Sequence, residues 1–533
     1  MRAKRLVPIL AGSLGGGLLL AWLDGKGFSP AAAAAYAFLL AASLTVVVWV
    51  HHALPSRGPA IVLALAIGAM ALRLAVGVAL ARALPVLGYQ STAEVKGYVF
   101  WDAYKRDTDA WERARGDLPL LAAFTDPKGS DQYGGLLYLS ASVYRYLGGE
   151  SHRPLMVVVL TAAASALGVL FIWAFAHSAL GAAPGVAAAW IAALVPESIL
   201  LGASQMREPF LIMGLGLSFL GYALSRQEHR SRGLSWIVAG LLLLLVISPP
   251  TALGGAIVLG AAVVWEGGAR LRFSRWLWWL GIPFALLSLV LMIQSWARLE
   301  EMSGTLGQIL VQWWQNAGAA WRVGQVAANS DMLEVVLYRL PPAAHLPFLV
   351  VYGLIQPFLP AAIAAPGNPL WKAIAILRSL GWFALVPALI YGLIAAIQKR
   401  GWRSLGAYLG VLVWVTALLA SYRAPGYQWD NPRYRAVFMV GQASLAAWAW
   451  VSARSDGDPW LRRTYVSLGL ATLLVLDWYL GRYAGFPSLG LEATIGAVAV
   501  VVAGYIALCI LKDWRARRSR AEASRPVGGT DDV

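Results

Sequence analysis

The chain has 533 residues, of which 59% are hydrophobic and only 13% charged, and its mean hydropathy is positive. A soluble chain of this length needs more polar surface, so the composition excludes an ordinary soluble globular protein. The formal net charge of +16 does not mark a nucleic-acid binder, because the basic residues lie in short connections between apolar runs rather than on one polar face.

A membrane-spanning helix needs roughly 20 consecutive apolar residues. Such segments begin near Leu6, Ala31, Ala60, Pro154, Gly185, Phe210, Leu234, Ala252, Trp276, Trp371, Leu405, Tyr434, Leu461 and Leu489. They predict an all-α polytopic integral membrane protein with about fourteen transmembrane helices in one domain, residues 1–533. The first run follows Met1-Arg2-Ala3-Lys4-Arg5 and has the outline of a secretory signal, but no small-residue cleavage site closes it before Asp24, so it reads as a retained anchor. Cys509, the single cysteine, lies inside the last run, so the sequence offers neither a disulfide framework nor a thiolate metal site.

Two interruptions exceed the usual connection length, residues 88–134 and 297–342. The first holds eight acidic residues between Glu94 and Asp131 beside six basic ones, and ends in an amphiphilic stretch, Tyr133 to Leu147, too short to span and expected to lie along the interface. The second carries Trp313, Trp314 and Trp321, which suits an amphipathic helix at headgroup level. After it, His345 to Ala364 is broken by Pro347, Pro357 and Pro360 and reads as a re-entrant hairpin.

Basic clusters set the threading. Arg226, His229, Arg230 and Arg232 fill one connection, Arg270, Arg272 and Arg275 another, Lys399, Arg400 and Arg403 a third, and Arg515 to Arg520 opens the tail. The positive-inside bias puts these in the cytoplasm, with both termini inside, a disordered cytoplasmic tail at 521–533, and both long loops outside a cell membrane.

Chemistry concentrates in the first loop, where Asp107 and Asp109 stand two apart beside Trp111. Two nearby carboxylates can hold a divalent metal ion, or one can serve as a general base while its neighbour tunes it. Downstream, LVPESILLGASQMREPF contains Pro196, Glu197, Arg207 and Glu208, and DNPRYRAVFMV contains Asp430, Arg433, Tyr434 and Arg435. Arg433 and Arg435 enter a helix where lipid phosphate would lie, and a guanidinium fork suits phosphate oxygens. Arg73 and Arg378 fall inside apolar runs, where a cation normally faces a partner in the protein interior. Arg82, near the outer end of its run, is placed to snorkel to that surface. The scattered histidines form no metal cluster.

These strings, in this order and on one side, resemble the membrane glycosyltransferases of the GT-C class, particularly the family 39-like enzymes that use polyprenyl-phosphate sugars. The resemblance runs over about residues 97–452: the acidic motif with Asp107, Asp109 and Trp111, the tyrosine-rich stretch from Tyr133 to Gly148, and the two strings just quoted. It departs from the class in having two apolar segments before the one that feeds the loop, and a D-x-D spacing instead of adjacent acids. It implies a loop aspartate as the base that activates the acceptor, Asp107 by motif position with Asp109 as helper, and Glu208 as the next acid on that face. The substrate contacts expected are Arg207, Glu208, Arg433, Tyr434 and Arg435, with Arg82 at the outer end of its apolar run.

The expected activity is therefore transfer of a sugar from a polyprenyl-phosphate-linked donor to a glycan, lipid or protein acceptor at the outer face, among membrane lipids and without nucleic acid. No cofactor is required by this reading, and a divalent metal is left open. The rival readings are an oligosaccharide polymerase or ligase using lipid-pyrophosphate substrates, and a lipid-linked sugar flippase or transporter. Transporters show interrupted helices with polar groups near the midplane, whereas here the acids cluster in an outer loop.

Overall fold

The computed structural model describes residues 6–55, 58–125, 132–227, 230–267, 275–299, 305, 307–309, 311–312, 331–424 and 428–523. Every regular element among them is helical, with no strand. Helices α1 (Leu6–Leu23), α2 (Pro30–Ala53) and α3 (Ala60–Leu87) are followed by the short α4 (Thr92–Val95), α5 (Trp101–Arg115) and α6 (Gly135–Leu147). Next come α7 (Leu155–Leu180), α8 (Ala182–Leu194), α9 (Pro196–Gly202), α10 (Glu208–Ser225), α11 (Arg230–Ile247), α12 (Pro249–Trp265) and α13 (Arg275–Leu299). The remainder is α14 (Asp331–Arg339), α15 (Pro342–Ile355), α16 (Leu359–Ala364), α17 (Pro369–Arg400), α18 (Leu405–Arg423), α19 (Asp430–Ala436), α20 (Met439–Ser455), α21 (Trp460–Ala484) and α22 (Leu491–Ala523).

Capping explains several starts. Ser29 accepts from Ala32 N at 3.1 Å with Pro30 at the first helical position of α2, and Asn368 accepts from Leu370 N at 2.9 Å with Pro369 opening α17. The core forms around α7, which packs on α2, α3, α8 and α10 and buries Trp173 completely. Between α10 and α11 the backbones almost touch: a Cβ on Gly221 would lie 2.6 Å from Gly233 O, so only glycine permits the approach.

Contacts between connections divide the molecule into two ends. At one end, Arg153 pairs with Asp24, Arg339 with Glu492, and Tyr89 accepts from Asn368 N at 3.0 Å. At the other, Arg232 donates to Ala53 O at 2.5 Å, Trp265 Nε1 to Trp402 O at 2.8 Å, and Lys399 lies 2.6 Å from Asp456. The first end carries α4, α5 and α6, and is the loop face. The second carries Arg226, Arg232, Lys399, Arg400 and Arg403, and is the basic face.

Among the described residues, eight helices are long and apolar enough to cross a membrane, and ten spans result if α8–α9, bent by 57°, and α19–α20, bent by 76°, each count as one. The count of fourteen is therefore not reached by length and composition. The four further segments coincide with shorter apolar helices, at α1, α11, α12 and within α13. Arg73 closes the first bend. Fully buried, it donates to the carbonyls of Ala69, Ala192 and Ala193 at 3.1 Å each and to Ser198 Oγ at 2.9 Å, so it occupies carbonyls that the end of α8 leaves open. It contacts no carboxylate in these bonds, and it is a backbone partner.

Helices α15 and α16 form a hairpin whose flanks, Arg339 and Asn368, both lie on the loop face. Neighbouring side chains satisfy the carbonyls at its turn: Asn431 donates to Gly353 O at 3.0 Å, Trp382 to Leu354 O at 2.8 Å and Ser421 to Val350 O at 2.6 Å. The stretch expected to lie along the interface is instead α6, which buries Leu136, Leu137, Ala141 and Tyr144 within the protein. Trp313, Trp314, Trp321, His229, Arg270 and Arg272, and the tail beyond Ala523, lie outside the described residues.

The two-ended arrangement predicts labelling by a membrane-impermeant maleimide. In a Cys509→Ser background, Asp117→Cys and Leu489→Cys should react from one side of sealed vesicles and Arg403→Cys from the opposite side. Reaction of Asp117→Cys and Arg403→Cys from the same side would break the arrangement.

Candidate active site

The site is built where the loop helices meet the start of α17. After α3, Ser91 and Glu94 form a capping box on α4: Glu94 Oε2 accepts from Ser91 N at 3.0 Å, and its Oε1 accepts from Trp371 Nε1 at 2.7 Å, which joins the loop to α17. Gly97 follows at φ 84°, where a Cβ would meet Ala81 O at 2.7 Å. The chain then enters α5, whose first turn presents Asp102 to the positive helix end.

Asp107 and Asp109 both lie on α5. On a helix, residues two apart point in widely different directions, and both side chains are buried, at 1% and 7% exposure. Asp107 is enclosed: Tyr98 donates to its Oδ2 at 2.6 Å, Tyr144 to its Oδ1 at 2.5 Å, and His152 Nε2 lies 2.8 Å from Oδ2. His152 in turn stacks on Trp111 at 5.1 Å. Burial first, and then the adjacent carboxylate, push both phenols well above their usual value and keep them protonated as donors. The arrangement fastens α5 to α6 and to the segment before α7.

A cavity of about 790 Å³ opens beside this anchor, and its lining includes Asp102 but neither Asp107 nor Asp109. Arg433 lies at its base with three carboxylates around it: Asp102 Oδ2 is 2.9 Å from Nη1, Asp430 Oδ1 is 3.4 Å from Nη1, and Glu208 Oε1 is 3.0 Å from Nε. Burial alone would raise the Asp102 carboxyl, but the charges of Arg433, Arg106 and Arg207 outweigh it and hold the group below the usual carboxylate range. Asp102 Oδ1 has no hydrogen-bond partner among the described residues. Trp371 and Trp429, edge to face at 4.9 Å, form a wall, and Lys372 and Tyr434 complete the polar lining. Among the described residues Lys372 pairs with no carboxylate.

Of the residues expected to bind substrate, Arg433 and Tyr434 line the cavity and Glu208 lies directly behind Arg433. Arg207 stands over the Tyr133 ring at 5.3 Å, and Arg82 donates to Leu23 O at 2.9 Å, at the end of α1. Arg435 points away, onto Trp382 at 3.5 Å. Asp102 and Lys372 escaped sequence reasoning. A helical reading of the string from Trp101 would have flagged Asp102 as a first-turn acid, while Lys372 carried no signal.

Among the described residues, no three His, Cys, Asp or Glu side chains are placed to hold a metal ion. Asp102, Asp430 and Glu208 converge on the Arg433 guanidinium, which occupies the position a cation would take among them. The donor set therefore does not fit a divalent metal.

The sequence matches no protein-family model and no curated protein. Among solved structures it is similar to the Archaeoglobus fulgidus oligosaccharyltransferase in the apo form, with 14% identity, a TM-score of 0.37, and coverage of 83% of this chain and 54% of that one. It is also similar to the same organism's AglB in complex with an inhibitory peptide and a dolichol-phosphate, at 13% identity, TM-score 0.33, and coverage of 82% and 54%. For the complex with Zn and sulfate the values are 13%, 0.35, 78% and 53%. The chain spans about half the length of these structures.

The enclosure of Asp107 predicts a structural role. Asp107→Asn leaves an amide facing two phenol donors and should destabilise the protein by about 3 kcal/mol, seen as a lower thermal midpoint in detergent. A wild-type midpoint would show that the enclosure contributes nothing to stability.

Proposed function

We propose that the protein is a membrane glycosyltransferase that moves a sugar from a polyprenyl-phosphate-linked donor to a glycan, lipid or protein acceptor. In this reading the loop face lies outside the cell membrane, and the basic face, where α1 starts and α22 ends, lies in the cytoplasm, as the positive-inside bias favours. The observation that carries the reading is the cavity itself: Asp102, with one oxygen free, faces Arg433, Lys372 and a tryptophan wall at the head of an apolar bundle. The order of the sequence motifs that resemble the GT-C class supports the same activity.

The geometry suits a direct displacement with Asp102 as the base. The acceptor hydroxyl donates to Asp102 Oδ1, and as its oxygen bonds to the anomeric carbon its proton passes to the carboxylate. The bond from that carbon to the phosphate oxygen breaks, and the electron pair leaves on the lipid phosphate. Lys372 stabilises that charge directly, because Arg433 already serves three carboxylates. Trp371 and Trp429 offer apolar ring surface to the sugar. The donor's hydrocarbon chain lies along the exposed apolar side of α17, at Leu377 and Leu380.

Asp102→Asn keeps the shape and removes the base. It should lower sugar transfer by roughly 10²–10⁴-fold with a near-normal thermal midpoint. Full activity, measured as polyprenyl phosphate released by purified protein, would remove Asp102 from the role.

The pH profile gives an independent check. A base must be ionised, so activity should fall as pH drops through the depressed Asp102 pKa. Arg433→Gln removes the charge that depresses it and lets burial dominate, so the acid limb should move to higher pH. An acid limb unmoved by Arg433→Gln would assign the titration to another group.

A further inference from the structure

Three irregular points of the fold meet away from the active-site cavity: the bend between α8 and α9, the bend between α19 and α20, and the turn of the α15–α16 hairpin. Between them lies a second cavity of about 20 Å³, lined by Glu197, Pro357, Arg378, Trp382, Arg435 and Gln442 among others. That volume accepts one particle about the size of a water molecule.

Its charges do not balance. Both Glu197 oxygens are engaged by Arg378, at 2.6 Å to Nε and 3.1 Å to Nη2. Arg378 also donates to Trp429 O at 3.3 Å and stands 4.3 Å over the Trp429 ring. Arg435, only 3% exposed, lies flat on Trp382. Its guanidinium has no hydrogen-bond or ion-pair partner among the described residues, and Nη1 is buried without an acceptor. Gln442 offers its amide N–H to the Arg435 carbonyl at 2.9 Å and so contributes no negative charge. Two cations and one carboxylate leave an excess of one positive charge in a buried place.

Arg73 shows how this fold otherwise treats a buried guanidinium, with four oxygen acceptors around it. Arg435 receives none, although an uncompensated buried charge is strongly destabilising. Stacking on an indole offsets part of that cost but satisfies no N–H in the guanidinium plane. A water molecule would fill the space and leave the charge. Room for a single water-sized particle favours a small monovalent anion over a phosphate, sulfate or carboxylate group.

We infer that this cavity is a binding site for a monovalent anion of chloride size, held by Arg435 beside the Arg378–Glu197 pair. The ion neutralises the cluster and ties together the two bent spans and the hairpin turn. The inference is independent of the glycosyltransferase reading, because none of the residues that hold the ion lines the active-site cavity.

The test replaces chloride by gluconate at constant ionic strength and follows the thermal midpoint of the full-length protein in detergent. The midpoint should rise with chloride on the order of 2 °C for each tenfold above its dissociation constant, and bromide should substitute. Arg435→Met should remove this dependence. Equal midpoints in chloride and gluconate, or a halide dependence that survives in Arg435→Met, would overturn the assignment. If Arg435→Met fails to fold, anomalous scattering from wild-type crystals grown in bromide decides the matter: a peak beside Arg435 supports the site, and its absence at saturating bromide refutes it.

Discussion

The guanidinium of Arg433 joins parts of the chain that the sequence keeps far apart. Asp102 comes from the loop helix α5, Glu208 opens α10, and Asp430 opens α19, which also carries Arg433. Removing the cation would leave three acids facing one another in a partly desolvated place, a loss far larger than that of a surface ion pair. The cluster also fixes a direction. Helix α5 is held at Asp102 by Arg433 and, five residues later, at Asp107 by Tyr98, Tyr144 and His152. Two attachments roughly 7–8 Å apart along one helix prevent it from rolling, so the free Asp102 oxygen keeps one orientation toward the cavity.

The same cluster divides labour among the cations. A guanidinium already bound to three carboxylates has little affinity to spare for a phosphate, whereas Lys372 is a point charge with no carboxylate partner among the described residues. The surrounding cations matter as well. The charges of Arg433, Arg106 and Arg207 hold the Asp102 carboxyl below its usual range, and so ionised. Two opposing demands, a strong field and a free carboxylate oxygen, are thereby met in one place.

Much of the fold was legible because apolar run length is a direct physical requirement of crossing lipid, and the helices fall on the expected runs. The proline pattern around Pro347, Pro357 and Pro360 gave the hairpin for a related reason, since proline interrupts backbone bonding that lipid cannot replace. The site was legible only in part. The segment of the first loop that carries Asp107 and Asp109 forms helix α5, on which residues two apart point in different directions. Asp107 is enclosed by Tyr98, Tyr144 and His152, while Asp102, outside the motif, lines the cavity. Of the residues singled out in the string DNPRYRAVFMV, Arg433 and Tyr434 line the cavity. Arg435, on the same short helix, lines the smaller cavity instead, since residues two apart on a helix point in different directions.

Breaking a spanning helix frees carbonyl and amide groups where no water is at hand to take them, so each break needs polar partners from neighbouring helices. Arg73 supplies them at the α8–α9 bend, and Asn431, Ser421 and Trp382 supply them at the hairpin. This explains why Arg73, a cation inside an apolar run, is occupied by backbone carbonyls. It also explains where the cavity lies, because only displaced helix ends leave room for one. The short helices α16 and α19, each the product of a break, form two of its sides, and the long α17 and the loop before α5 form the others. Irregularity and site are thus one feature: the breaks that cost backbone bonding create the recess, and the partners that satisfy them hold its walls in place.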